Sequence, residues 1–307
     1  MANAFLKPTV IARTALGLLQ REIVLPALVW RDAVADFTGA QGDTVTLRVP
    51  ARLTARTMPM RDRTNPIVVD ELTETKVDVS LDTHVYNAVA VTDEELTLDI
   101  SDFGTQVLQP QIRAVAEGLE NQLAAEMVAA SYATTVTVDR AKPEDTVVDA
   151  RAALNKANVP MGDRFLVLGA DMESVFLKAE GLKKADESGS DSALREASLG
   201  RIRGFGTYVS NAIPANVGYA FHRSAYVLGM RAPVVPDGAA FGRSESYAGM
   251  SMRWLRDYDA LFLRDRSVVS VFTGTNHVAD GADGPDAGTA PDFVRAVKLV
   301  LPASSPS

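Results

Sequence analysis

A chain of 307 residues with 47% apolar and 23% charged side chains can bury a full core, as one large domain or two ordinary ones. Its net charge of -8 and pI near 5.0 exclude a protein that coats duplex DNA through a basic face, and the absence of cysteine excludes disulfides, thiolate chemistry and Cys-ligated zinc. No run of about 18 apolar residues is present for a membrane span, and the opening MANAFLKPTV lacks the apolar centre of a signal peptide; the expectation is a protein that stays inside the cell making it, with no membrane partner.

Residues 9 to 37 carry Leu16, Leu19, Ile23, Leu28, Val29, Trp30, Val34 and Phe37, broken by Pro26, which predicts a short helix and then an extended arm packed on something else. From Gly42 the period becomes two. Val45, Leu47 and Val49 alternate with Thr44, Thr46 and Arg48 as an outgoing strand; Val77, Val79, Leu81, Val85, Val89 and Val91 alternate with polar residues over about 15 positions, some 50 Å if extended. Joined through a tip at about Leu53 to Ile67, the two make a ribbon with too little core of its own, since an isolated two-stranded hairpin is marginal in water.

Charge on this ribbon is segregated. Arg48, Arg52, Arg56, Arg61 and Arg63 crowd the outgoing limb and tip, with Asp62 the one acid among them. From Asp70 to Asp102 the balance reverses: Asp70, Glu71, Glu74, Asp78, Asp82, Asp93, Glu94, Glu95, Asp99 and Asp102 stand against Lys76 alone. Either the limbs neutralise each other within one hairpin, or the basic tip (Arg52, Arg56, Arg61, Arg63) reaches an acidic patch (Asp70, Glu71, Glu74, Glu94, Glu95) on a neighbouring copy. Arginine suits the second reading because its planar fork grips carboxylates bidentately. No aromatic is interleaved with the arginines to stack on bases.

The longest segment that keeps one period runs from Asp102 to Tyr132. Leu108, Ile112, Val115, Leu119, Leu123 and Met127 fall on one helical stripe, with Arg113, Glu117, Glu120 and Asn121 on the other side. This predicts a spine helix on which a sheet lies. Pro110 either opens the main helix or marks a shorter helix bending into it, and Gly118 suggests that another backbone passes close by.

A compact α/β unit comes after the spine. The pattern predicts a strand at Ala133 to Val138, a helix capped by Asp145 or Thr146 and running to Lys156, a buried strand at Arg164 to Leu168 and a helix from Asp171. The polar stretch EGLKKADESGSDS at 180 to 192 reads as a mobile loop, and a strand with glycine-marked turns then precedes a short helix within 200 to 233. Two long strands come next, one through Met250, Met252 and Trp254, the other LFLRDRSVVSVF after a turn near Asp257 to Asp259. A loop at 280 to 291 leads to a last strand at Phe293 to Leu301.

Chemistry finds little support. His84, His222 and His277 are scattered without HExxH spacing, Ser210 lacks the glycines of a nucleophile elbow, and GRIRGFG from Gly200 matches neither GxGxxG nor a P-loop. Glu94 and Glu95, read as neighbours on a strand, point to opposite faces. No catalytic residue, cofactor or metal is expected.

The order of these parts resembles the major capsid proteins of tailed bacteriophages, the Hong Kong 97-type fold. The resemblance is carried by NVPMGDRFLVLGADMESVFLK at Asn158 to Lys178, ASLGRIRGFGTYVSNAIP at Ala197 to Pro214, RDYDALFLRDRSVVSVFTG ending at Gly274, and VTDEELTLDISDFG before the helix, which is similar to a subgroup of phage coat proteins. It implies an α+β fold with an N-terminal arm (1–41), an extended β-hairpin loop (42–90), a peripheral domain with the spine helix (91–139), an axial domain (140–240), and return strands of the peripheral domain with a C-terminal strand (241–307).

It also implies self-association as hexamers and pentamers into an icosahedral head that encloses double-stranded DNA without sequence-specific binding, with a portal. Because the arm is short and has no long charged helical leader, a separate scaffolding protein is expected. The tip has arginine and no lysine, so no Lys to Asn isopeptide weld is expected. An encapsulin-like bacterial compartment shell and a soluble α/β enzyme are the alternatives.

Overall fold

The computed structural model describes residues 24–31, 44–49, 75–95, 103–179, 200–239, 241–247, 250–280 and 293–302, together with positions 55, 57–60, 66, 67 and 69. Thirteen strands among these residues form three sheets. β1 (Thr44–Val49) and β2 (Thr75–Ser80) make the ribbon. β3 (Thr83–Thr92), β9 (Tyr226–Arg231), β10 (Phe241–Tyr247), β11 (Met250–Asp259) and β12 (Arg264–His277) make a five-stranded antiparallel sheet. β4 (Tyr132–Thr137), β5 (Arg164–Leu168), β6 (Arg201–Ile202), β7 (Phe205–Val209), β8 (Val217–His222) and β13 (Phe293–Val300) make a mixed sheet in the order β4-β13-β8-β5-β7-β6.

The spine helix Gln109–Ala129 lies between the two larger sheets. Its 21 residues span about 30 Å. Every position of the stripe read from the sequence, Leu108 to Met127, is buried, and the stripe packs with Met250, Met252, Trp254, Val269 and Val271 of one sheet and with Val217, Tyr219, Phe221 and Phe293 of the other. Pro110 lies in the first turn of the helix, one residue past its start at Gln109, and the second of the two expectations holds, a short helix leading into the main one. A wider helical turn at Gly104–Leu108 runs straight into it, because proline supplies no N–H to close an ordinary turn there. Gly118 is close-packed by a side chain rather than a backbone: a Cβ there would stand 2.8 Å from Val85 Cγ1 of β3.

The long strand β12 organises the five-stranded sheet. One edge pairs with β3 from Arg264↔Thr92 to Thr273↔Thr83; the other pairs first with β11 and then, from Phe272, with β9. One buried amide ties the spine to this sheet. Gln111 Nε2 donates to the Ser267 carbonyl at 2.9 Å, Ser267 Oγ donates to Gln111 Oε1 at 2.7 Å, and Trp254 Nε1 donates to Ser267 Oγ at 3.1 Å.

The six-stranded sheet is covered on both faces. Val167, Tyr219 and Phe221 point to the spine; Leu166, Leu168, Ala220, Val297 and Leu299 point to helices Pro143–Lys156 and Ala170–Lys178 through Val147, Ala150, Leu154, Met172 and Phe176. Alternation along single strands supplies both cores.

Several expectations need correction. The second ribbon limb is not one 15-residue strand: the chain breaks at Leu81 and Asp82, and its continuation leaves the ribbon to become the β3 edge of the five-stranded sheet. The short helix expected within 200 to 233 is a three-residue turn, Arg223–Ala225, between β8 and β9, whose residues are buried on both faces and so lack the polar face a helix there would need. The turn after Trp254 sits at Ala260 to Leu263 rather than Asp257 to Asp259, since three Asp-Arg pairs hold the ladder closed further out. The helix to Lys156 begins at Pro143 without a side-chain cap, proline being pre-set for a first turn. The last strand joins the six-stranded sheet, parallel to β4 and antiparallel to β8, instead of the return strands. Glu94 and Glu95 lie in a helical turn, not on a strand. Residues 180 to 192 and 281 to 291 lie outside the described residues.

Candidate assembly surface

The described part of the amino-terminal arm packs on its own subunit. Leu25–Leu28 forms one helical turn whose Val24 and Leu25 N–H groups donate to Glu120 Oε1 of the spine, the second at 3.1 Å. Leu25, Leu28 and Val29 are buried against the spine, and Trp30 bridges to β9 through its N–H on the Tyr226 carbonyl at 3.1 Å. Glu120, read from the sequence as a solvent-side charge, is therefore the clamp that fixes where the arm crosses the body.

The ribbon has a seated root and an open end. Val77 and Val79 of β2 are buried against Val227, Val278 and Trp30, and Asn276 Nδ2 donates to the Asp78 carbonyl at 2.7 Å. Beyond the ladder, Met60 is 98% exposed, Val69 82% and Ile67 74%, with Met58 half exposed. All four lie on the segment that joins the ribbon's two strands, and exposed apolar side chains of this size mark a surface for contact with another molecule.

The ladder pairs Thr44↔Ser80 through Val49↔Thr75. Thr46 Oγ1 donates to Asp78 Oδ1 at 2.6 Å, and Arg48 is in register with Lys76. Lys76 is left to a 3.8 Å contact with Asp78, two residues along its own strand.

Of the residues expected to form the basic tip, Arg52, Arg56, Arg61 and Arg63 all lie outside the described residues, as do Asp70, Glu71 and Glu74 of the acidic patch. Glu94 and Glu95 are described and exposed. The Glu95 carboxylate is engaged locally. Its Oε2 accepts from the Thr92 N–H at 2.9 Å while Thr92 Oγ1 accepts from the Glu95 N–H at 3.3 Å, a reciprocal capping box that ends β3 and starts the turn. Asp93 accepts from the Tyr258 hydroxyl at 2.9 Å. Glu94 is the carboxylate of this turn that points to solvent without a described partner of its own.

The sequence reading missed the other exposed apolar group. Leu261 is 90% exposed, Phe262 66% and Leu263 62%, all on the turn between β11 and β12. A run of three apolar residues between charged strands at a turn breaks the rule that turns are polar, which is the signal that would have found it.

The histidines do not converge. His84 lies against Phe272 with ring centroids 4.7 Å apart and is held below its usual pKa by burial and then by Arg253. His222 accepts from the Ser224 N–H at 3.2 Å and is likewise lowered, by burial first and Arg295 next. His277 meets Glu126 at 2.8 Å. Three tyrosines meet at the spine's end. Tyr132 donates to the Met127 carbonyl at 2.5 Å, leaving Tyr226 to donate to Tyr132 at 2.6 Å, while burial pushes the Tyr219 hydroxyl up to about 12. Among the described residues no three acidic or imidazole side chains group as metal ligands, and no helix is long and apolar enough to cross a membrane.

Residues 74–271 match the phage capsid protein family. The chain belongs to that family. No curated protein sequence matches it. Solved structures resemble this capsid protein across most of its length. One from Mycobacterium phage Che8 is 20% identical, covers 90% of each chain and superposes with a TM-score of 0.64. The capsid of cyanophage P-SCSP1u is 12% identical over 86% of this chain and 85% of its own, at 0.60. A virus-like particle from Pyrococcus furiosus is 13% identical over 94% and 97%, at 0.54. At such identities the likeness shows the fold, the Hong Kong 97-type capsid fold. Family and fold together make this a major capsid protein, a structural component of a virion whose copies assemble into a shell.

Proposed function

We propose that this capsid protein forms hexamers and pentamers that close into an icosahedral head around double-stranded DNA, and that the ribbon is the part through which each copy is completed by its neighbour. The observation that carries this is the ribbon's exposure: a buried root, and exposed Met60, Ile67 and Val69 beyond the ladder. In this reading Arg52, Arg56, Arg61 and Arg63 of one copy meet carboxylates of the next, drawn from Asp70, Glu71, Glu74 and Glu94. Glu95 contributes less, because its carboxylate already closes the capping box at Thr92.

The residues divide by role as arm (1–41), extended loop (42–90), peripheral domain with spine helix (91–139), axial domain (140–240) and return strands with the C-terminal strand (241–307). The C-terminal strand then serves the axial sheet it pairs with. A net charge of -8 suits a shell that encloses DNA without holding its sequence. A separate scaffolding protein and a portal complete the head in the host cytoplasm, and the chain has no enzymatic role of its own.

The test is to reverse Arg56 and Arg61 to glutamate and follow assembly by electron microscopy and light scattering. Wild-type protein forms shells; the variant stays as small species with unchanged circular dichroism. Normal shells from the variant remove the ribbon's role. Nuclease-protected DNA inside purified particles supports the viral head, whereas packed protein cargo supports a compartment shell.

A further inference from the structure

Residues along β12 alternate between two faces. Thr273 and His277 reach the spine, through Gln122 and Glu126, while Gly274 and Asn276 look the other way. Pairing with β9 puts Gly229 opposite Gly274 and Val227 opposite Asn276, so the face turned from the spine carries a bare two-glycine step beside a valine. Pairing with β3 stops at Thr83↔Thr273, just where the chain arrives from the ribbon through Leu81 and Asp82.

The ribbon's strand β2 crosses this face. The Ser80 carbonyl lies over Gly274 so closely that a Cβ there would stand 1.8 Å from its oxygen and 2.7 Å from its carbon. Two residues earlier, Asn276 Nδ2 donates to the Asp78 carbonyl at 2.7 Å, and Asn276 Oδ1 accepts from the His277 N–H at 2.8 Å, which holds the amide in that orientation. On the side chains between them, Val77 and Val79 close on Val227, Val278 and Trp30.

Burying two valines holds the ribbon to the body but sets no direction, because apolar contact is non-directional. Direction comes from the other two contacts. Asn276 tethers one carbonyl of β2, and the notch at Gly274 lets the backbone itself come down onto the sheet at the next carbonyl on that side, about 7 Å further along. A small error at this root grows toward the other end. From Ser80 to Thr75 the ladder runs roughly 17 Å, so a tilt of about 10° moves its far end by about 3 Å, most of the distance at which two side chains touch.

We infer that Gly274 and Asn276 are positioning residues for the ribbon, a notch and a tether that fix the angle at which it leaves the body and so decide whether it meets the neighbouring copy. Neither touches the neighbour; both act through β2. The inference rests on the shell reading above and names the residues that aim the part doing the contacting.

Two substitutions disturb the angle by different routes. Gly274→Ala has to push the Ser80 carbonyl outward by about 1 Å before it reaches even the closest contact a real Cβ makes. Asn276→Asp keeps the shape and the bond from the His277 N–H but sets an oxygen against the Asp78 carbonyl in place of a donor. The chain has no cysteine, so spin labels at Lys76→Cys on β2 and Glu117→Cys on the spine, both exposed, report ribbon against body. In unassembled protein each variant should move or broaden the label distance by about 2 Å, the shift that a tilt of about 10° gives four residues out. Circular dichroism and melting should stay as in the parent. Without labels, shell yield from each variant should fall about tenfold or more, the effect of one weakened contact per subunit.

Label distances that match the parent in both variants overturn the inference whatever the shells do. Distances that move while shells form normally overturn it too, because the angle would then be immaterial to assembly. If Gly274→Ala fails to fold, Asn276→Asp, which changes no volume, decides alone. A parent chain that forms no shells counts against the shell reading instead, and the labels still decide whether Gly274 and Asn276 set the angle.

Discussion

The six-stranded sheet and the ribbon are built from the same kinds of residue and end in opposite conditions. In the sheet, β8 is buried along nearly its whole length, its odd and even residues serving two different cores. Among the described residues of the ribbon, Val77 and Val79 at the root are buried, and Met60, Ile67 and Val69 face water. A strand alternating apolar and polar residues needs one covering layer, and a continuous apolar strand needs two. The subunit supplies both layers to the sheet, while Met60, Ile67 and Val69, the apolar residues described between the ribbon's strands, are left exposed. On the function proposed above, burial along individual strands separates what a capsid subunit finishes alone from what it leaves to its neighbours.

Breaking the body should therefore unfold the monomer, and breaking the periphery should not. Leu119 sits fully buried where the spine meets both sheets, so Leu119→Ala should cost about 2–5 kcal/mol through lost contacts and a residual cavity, read as a fall in melting temperature or denaturant midpoint of unassembled protein. A variant that melts like the wild type would mean the body too depends on neighbours. Gln111→Leu should cost less, about 1–3 kcal/mol, because it keeps the volume but strands the Ser267 carbonyl and hydroxyl without their buried partner. Reversing Arg56 and Arg61, at the other side of the comparison, should shift the monomer's stability by no more than about 0.5 kcal/mol while abolishing assembly. A large loss of monomer stability there would place the arginines in the body and dissolve the distinction.

The legibility of the fold tracks the same division. The spine helix is readable because its stripe repeats over five turns and every member is buried, and Arg164–Leu168 because a short apolar run between turns has few alternatives. Where one strand serves two sheets' worth of neighbours, pattern alone misleads. The period-two apolar pattern from Val77 to Val91 carries on past Leu81 and Asp82, interrupted at Thr83 and Asn87, yet the chain changes sheets there, because register and partner are set by β12 and β1, far away in sequence. Glu120 and Glu95 read as solvated charges for a related reason: each accepts backbone N–H groups, and those donors carry no signature in side-chain periodicity. The charge pattern proposed as the contact falls mostly outside the described residues, while the exposed Leu261–Leu263 turn is hidden by reading as the start of β12.

The smallest expected effect concerns pH and again separates body from periphery. His222 ends β8 with its Nδ1 accepting from the Ser224 N–H, so the neutral ring is the form that fits, and burial and the nearby Arg295 hold its pKa below the ordinary 6.5. His84 is lowered in the same direction by burial and Arg253. The sign is fixed by which state binds the proton first. As pH falls below about 6.5 the unfolded chain protonates while the folded one does not, so both groups contribute stability that is full above 6.5 and declines as pH drops toward their folded pKa values. Unassembled protein should therefore melt at progressively lower temperature from pH 6.5 downward. His222→Asn, whose side-chain oxygen can take the same N–H, should flatten part of that slope without lowering stability at pH 8. A monomer slope untouched by the variant would remove His222 as its source and leave His84, whose pKa is lowered by burial and Arg253, as the histidine that carries the acid sensitivity.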